Sequence, residues 1–234
     1  MNIIVTGASQ GIGFELVKKF SQDKQNVIIA ISRNMQRLRT LQGVCKNINM
    51  EAKVHAIKYD ITSENVEGEL LPELLKHIDK VDILINNAGI LINKPFYETS
   101  NSDFDKTFNV NVKAPFEIIK ALFPYFSKKA HIVNIGSMGG VQGSMKFPGL
   151  AIYSASKGAL AVLTEALAEE LKESNISINC LALGGADTKM LRQAFPHYKP
   201  PLSAEEMSEF ICNFALTGNR FFNGKILPVS VSTP

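Results

Sequence analysis

Seven short apolar runs, separated by longer stretches with helical spacing, restrict what this chain can fold into more than any other feature of its sequence. The runs are residues 3–6, 26–31, 53–59, 81–85, 131–135, 177–181 and 225–231. They are nearly continuous in Val, Ile and Leu, as strands covered on both faces must be. Between them, a helical stretch starts at Gly13 and runs through Phe14, Leu16, Val17 and Phe20; others cover 35–45, 65–75, 103–126 and 152–173. Ser63 reads as a helix start, and Pro124 as a late bend or stop. Strand and helix in alternation give repeated βα units. Right-handed crossovers then wind them into an α/β domain: a seven-stranded parallel sheet, doubly wound, with helices on both faces. Ligands of such sheets sit at the carboxyl ends of the strands. No low-complexity linker divides the chain, so residues 1–234 are expected to form one domain, with a short substrate-loop region at 184–215.

Composition narrows the class. A hydrophobic share of 45% supports a sizeable core, and the net charge of +3 is spread out rather than gathered into a basic stripe, which speaks against nucleic acid. His55, His77, His131 and His197 show no metal-ligand spacing, and Cys45, Cys180 and Cys212 no CxxC pair, so no metal is expected and the cysteines read as reduced thiols. The first strand begins just after Met1-Asn2, and no stretch reaches the length of a membrane span. The expectation is a soluble, cytoplasmic protein without a membrane partner.

Thr6-Gly7-Ala8-Ser9-Gln10-Gly11-Ile12-Gly13 lies between the first strand and the first helix. Glycines let backbone turn sharply and approach a pyrophosphate, and the helix start offers free N–H groups and partial positive charge. The spacing is TGxxxGxG rather than GxGxxG, and here the chain resembles the short-chain dehydrogenase/reductase family. Asn86-Asn87-Ala88-Gly89 after the fourth strand and Tyr153-Ser154-Ala155-Ser156-Lys157 in a helix extend the resemblance, which covers roughly residues 2–190. It implies a Rossmann fold, a nicotinamide dinucleotide and hydride transfer to or from a small-molecule carbonyl or alcohol.

The end of the second strand bears on which dinucleotide. NAD sites usually place an acid there, to bond the ribose 2′-hydroxyl. This chain has Ser32 and Arg33 instead, one able to donate a hydrogen bond to a 2′-phosphate and the other to pair with it as a fork. NADP(H) is expected and NAD is less favoured, although Gln10 stands where NADP users of the family often carry a base. Asp60 and Ile61 match the family's adenine edge, though Asp60 alone reads equally as a helix cap. Asn87, Ala88 and Gly89 allow close approach to the ribose, and Asn86 is implied to brace the sheet. Gly7, Ser9, Gln10, Gly11, Ile12 and Gly13 complete the phosphate end.

Carbonyl reduction needs a proton donor, a group that polarises the oxygen and a positioned hydride source. Tyr153 and Lys157, spaced i, i+4, project from one helix face, and a lysine cation there lowers the tyrosine pKa. Ser137, ending the fifth strand, can bond the developing alkoxide. The resemblance implies that Tyr153 is the general acid/base, that Lys157 tunes it and bonds the ribose, that Ser137 orients the carbonyl, and that Asn111 holds a water against the lysine.

Some positions depart from the family. Leu183-Gly184 replaces a Pro-Gly pair, while Thr188 still stands where the carboxamide is bonded. The stretch 190–202 is short, and its prolines argue against a long lid helix, which leaves an open cleft rimmed by Met138, Phe147, Met190 and Phe195. Pro228 suggests an edge strand. A homodimer or homotetramer paired through the helices around 103–126 and 152–173 is expected, with Ala155, Ala159, Ala161 and Ala166 allowing close contact. Two other readings stay open: a 3-oxoacyl reductase acting on acyl-carrier-protein substrates through Lys146 or Arg192, and a non-catalytic NADP-sensing regulator.

Overall fold

The computed structural model describes residues 1–231; the last three residues of the expected 1–234 unit, 232–234, lie outside the described residues. In chain order the elements are β1 (Asn2–Thr6), α1 (Gly11–Phe20), β2 (Val27–Ser32), α2 (Met35–Ile48), β3 (Lys53–Lys58), α3 (Leu71–Leu75) and β4 (Val81–Asn86). There follow α4 (Asn101–Phe108), α5 (Ala114–Leu122), β5 (Phe126–Ile135), α6 (Ala151–Glu170), β6 (Ser177–Leu183), the two-residue β7 (Ala186–Asp187) and α7 (Lys189–Ala194). Then come the two-residue β8 (Leu202–Ser203), α8 (Ala204–Thr217) and β9 (Ile226–Val229). The large sheet has the order β3-β2-β1-β4-β5-β6-β9, every pair parallel. This is the expected seven-stranded, doubly wound Rossmann arrangement.

Alternation along β1 shows how both faces are covered. Ile3 and Val5 pack with Leu16, Val17 and Phe20 of α1, Leu38 and Leu41 of α2, and Met207 and Ile211 of α8. Ile4, on the other face, packs with Leu74 of α3, Ile118 and Leu122 of α5 and Leu167 of α6. Each such side chain stabilises the fold by about 1.5–3 kcal/mol when fully buried. Two buried amide groups link the layers: Asn86 Nδ2 donates to Asn134 Oδ1 at 2.9 Å, and Asn134 Nδ2 to Thr164 Oγ1 at 2.9 Å, while Asn86 Oδ1 is buried without a partner among the described residues. Asn86 thus ties β4 to β5, and through Asn134 to α6.

Three expected helices take a different form. The 65–75 stretch opens as a wide π turn (Val66–Leu70) before α3, capped by Asn65, whose side chain accepts from Gly68 N–H; Ser63 is not the cap. Pro72, with no N–H, cannot return a bond to the turn before it. The 103–126 stretch divides into α4, a π turn (Asn109–Lys113) and α5, with Pro115 in the first turn of α5, and residue 126 already belongs to β5. β5 starts five residues before the expected 131 because Ser127, Lys128 and Lys129 hide its pattern; the pairing with β4 shifts register there and Lys129 has φ 70°. The first helix begins at Gly11 rather than Gly13. β9 pairs with β6 through Pro228 and Ala182 and forms the sheet edge, as the proline suggests.

Candidate functional site

The carboxyl ends of β1, β2, β4, β5 and β6 converge on one side, and the glycine turn sits at their centre. Gly7 has φ +68°, and a Cβ there would lie 2.8 Å from Ala88 Cα; a Cβ on Gly13 would lie 2.5 Å from both Asn87 Nδ2 and the Gly7 oxygen. No larger residue fits at either position. The turn is held by the Asn-Asn-Ala-Gly run: Thr6 Oγ1 accepts from the N–H of Asn87 and of Ala88, both at 3.1 Å, and Asn87 Nδ2 donates to the Thr6 oxygen at 2.9 Å. Gln10 is extended and makes no side-chain cap, and the first turn of α1 carries no acid. The free N–H groups of α1 therefore face outward beside a cradle that admits backbone only, a donor set that fits the diphosphate of a dinucleotide. Ser9 and Ile12 flank this cradle.

At the far end of β2 the picture differs from the sequence expectation. Ser32 is buried, and its Oγ accepts from Asn34 N–H at 3.1 Å, so it shapes the turn. Arg33 is exposed and its Nη1 lies 3.8 Å from Asp60 Oδ2. Asp60 caps no helix; its Oδ1 accepts from the N–H and hydroxyl of Thr62, followed by half-buried Ile61. Burial works against the Asp60 anion, but those two bonds and the Arg33 charge hold its pKa below the ordinary range. Gln10 Oε1 accepts from Nη1 of Arg37 at 2.6 Å. Arg37 is a cation that the sequence reading overlooked, although it stands four residues after Arg33 on the next helix.

On the chemical side, Tyr153 and Lys157 lie in the first two turns of α6. The Lys157 Nζ is 5.9 Å from the Tyr153 ring centre and donates to the Ile135 oxygen at 2.7 Å. Burial lowers the Lys157 pKa to about 8. It also raises that of Tyr153, and the Ser137 hydroxyl beside the phenol counters part of that rise. The expected lowering of the Tyr153 pKa by Lys157 is therefore not what the structure holds: the lysine is turned to the Ile135 carbonyl, and burial dominates at the phenol. Ser137 follows β5 and its Oγ accepts from Gly139 N–H at 3.2 Å. The turn Met138–Gly140 packs so tightly on α6 that a Cβ on Gly140 would come within 2.6 Å of Gly158 N.

Asn111 is fully buried in the π turn between α4 and α5. Its Oδ1 accepts from Ile90 N–H at 2.9 Å, and its Nδ2 donates to the Ile90 oxygen at 3.0 Å and to Ser156 Oγ at 2.9 Å. That side chain is committed to clamping the Gly89–Ile90 backbone against α6, so the expected water-holding role does not fall to it. Only the main-chain carbonyl is left for such a role, and its ordinary i+4 partner would be Pro115, which has no N–H.

Gly184 donates to the Val229 oxygen at 2.9 Å, and Thr188 caps α7 while its methyl group faces Gly11. The cleft rim is bridged rather than open. Phe147 meets Phe195 edge-on at 6.2 Å, and Asn93 Nδ2 donates to the Ala194 oxygen at 2.8 Å. The short helix α7 and the β7–β8 pairing, neither of them expected, hold the 184–201 segment in this position.

The family model described as short chain dehydrogenase matches residues 1–199. The chain belongs to that family. It is 34% identical over 194 residues to a cyclopentanol dehydrogenase of Comamonas, covering 82% of this chain and 75% of that one. It is 28% identical over 216 residues to an uncharacterised oxidoreductase of Staphylococcus epidermidis, covering 92% and 90%. Among solved structures, a short-chain dehydrogenase/reductase of Serratia marcescens superposes with a TM-score of 0.85 at 26% identity, covering 97% of this chain and 95% of that one. A Burkholderia cenocepacia short chain dehydrogenase in complex with NADP superposes at 0.86 and 24% identity, with coverage of 97% and 95%, a likeness of fold. Membership makes this chain an oxidoreductase of the family that binds nicotinamide cofactors.

Proposed function

We propose that the chain transfers a hydride between NADP(H) and a small carbonyl or alcohol substrate, with Tyr153 as general acid in reduction and base in oxidation. The observation that carries this reading is the convergence of Tyr153, Lys157 and Ser137 at the carboxyl end of β5, facing the glycine cradle. The dinucleotide, when bound, supplies or accepts the hydride. The Tyr153 phenol, kept protonated by burial, gives its proton to the substrate oxygen, and the Ser137 hydroxyl bonds the same oxygen as charge develops on it. Lys157, with a pKa near the working range, bonds the ribose and returns the proton. Asn111 positions the Gly89–Ile90 backbone beside that lysine, and its main-chain carbonyl holds the relay water.

The relative that acts on cyclopentanol supports a CH–OH substrate class. The acyl-carrier-protein reading is weaker, because Lys146 Nζ is bonded to the oxygens of Val141 and Ser144 and Arg192 is paired with Asp187. A cytoplasmic place fits the three free cysteines; among the described residues no helix is long and apolar enough to cross a membrane. One domain and a homodimer or homotetramer paired through α4, α5 and α6 belong to the same proposal. Exposed Phe104, Phe116 and Val162 line the face it would cover.

The test is oxidation of NADPH and of NADH by the purified protein with a panel of cyclic and open-chain ketones, cyclopentanone included. Turnover of at least one ketone, with kcat/KM about tenfold or more higher for NADPH than for NADH, is the expected result; a discrimination of that size is about 1.4 kcal/mol. No turnover on any ketone, or preference for NADH, would overturn the reading.

A further inference from the structure

The 2′-phosphate end of the proposed cofactor site has a gap in its sequence logic. Gln10, at the start of α1, is neutral, Ser32 is buried and occupied by Asn34, and Arg33 already shares its charge with Asp60. What the fold adds is Arg37, in the first turn of α2. Asn34 caps α2 by accepting from Arg37 N–H at 3.0 Å, which fixes the backbone from which the side chain leaves. From there the guanidinium reaches across to the glycine turn and donates to Gln10 Oε1 at 2.6 Å. No acid is paired with Arg37 among the described residues. One nitrogen of its fork is held by Gln10, and the others have no carboxylate partner among the described residues.

We propose that Arg37, positioned by Gln10, is a 2′-phosphate-binding residue of this chain and contributes at least as much to the choice of NADP(H) over NAD(H) as Arg33. The reading rests on the NADP(H) assignment above and deepens it. Gln10, which taken alone counts against NADP(H), becomes the holder of the cation rather than a missing one. A phosphate dianion recruits a guanidinium by paired, charge-assisted hydrogen bonds, and an arginine held in place loses less side-chain entropy on binding than a free one. At Arg33 a phosphate would have to share the guanidinium with the Asp60 carboxylate. The 2′-hydroxyl of NAD(H) carries no such charge and would leave Arg37 without an anionic partner.

Calorimetric titration of the whole protein with NADPH and with NADH, in the wild type and in Arg37→Gln, Arg37→Lys, Arg33→Gln and Gln10→Ala, tests this without turnover. Arg37 and Gln10 are exposed, so the substitutions remove no core packing. Arg37→Gln should raise the Kd of NADPH about tenfold or more and change that of NADH less than twofold, and its loss should equal or exceed that of Arg33→Gln. Arg37→Lys should recover part of the affinity, and Gln10→Ala should weaken NADPH binding severalfold through the released guanidinium. A wild type that prefers NADPH, loses that preference in Arg33→Gln and keeps it in Arg37→Gln would overturn the proposal while leaving the NADP(H) reading intact. A wild type that prefers NADH would overturn both.

Discussion

Replacing Asn111 by alanine removes a side chain that the structure uses three times, and its cost can be worked out bond by bond. The Ile90 N–H and C=O and the Ser156 hydroxyl all lose a partner, although Ser156 still donates to the Tyr153 oxygen at 2.7 Å. A buried polar group left unpaired costs about 1–3 kcal/mol. Ile90 is half-buried, so solvent can recover part of that, and a total of about 2–4 kcal/mol follows from the two backbone groups. For a chain of this size, each kcal/mol moves Tm by about 2–4 °C, so the midpoint should fall by about 5–15 °C. Urea unfolding followed by circular dichroism, with a thermal scan beside it, measures both. The same variant should bind NADPH more weakly, because a Cβ on Gly89 would sit only 3.3 Å from Asn111 Oδ1 and 3.5 Å from Lys157 Nζ, so the loop and the lysine share one seat. A loss of stability under about 1 kcal/mol would refute the clamp, because even one unpaired buried group costs about that much.

His131 predicts a pH dependence. It is buried, its Nδ1 donates to the Ala215 oxygen at 2.9 Å, and its Nε2 accepts from Asn179 Nδ2, whose orientation is fixed because Asn179 Oδ1 accepts from Lys225 N–H. A proton on Nε2 would set donor against donor, and burial already lowers the pKa from 6.5 to about 4. Since the unfolded chain takes up the proton first, the contribution is fully present above about pH 6.5 and is lost as pH falls to about 4, a change of about 3 kcal/mol. Urea midpoints across that window should show this slope, and His131→Gln should flatten it; an unchanged slope would refute the assignment. Gly13→Ala should raise the Kd of NADPH more than tenfold, because its Cβ would overlap Asn87 Nδ2 and the Gly7 oxygen. Binding by titration checks it, and wild-type affinity would mean the cradle is not the diphosphate seat.

What the sequence showed most clearly was whatever local pattern encodes. The buried strands declared themselves because both faces are apolar, and the glycine turn because two of its positions admit no side chain. The long-range partnerships were not legible. Nothing about Asn111 announces that it binds Ile90, since that contact joins the π turn after α4 to the loop after β4. Arg37 and Gln10 are 27 residues apart and meet only through the sheet order. The helix α8 was missed despite a readable signal: Ser203 and Glu206 form a capping box, and Met207, Ile211 and Phe214 follow at helical spacing. The bridged rim depends on Phe147 meeting Phe195 and on Asn93 reaching Ala194, contacts between loops that no periodicity records.

The most direct test of the central claim is Tyr153→Phe, assayed for NADPH oxidation with the ketone that the wild type reduces best, alongside NADPH binding by titration. Removing the hydroxyl deletes the proton donor and leaves the ring, so kcat/KM should fall by about 10²–10⁴, the usual worth of general acid catalysis, while the Kd of NADPH changes less than twofold. Turnover undiminished in Tyr153→Phe would contradict the account at its centre.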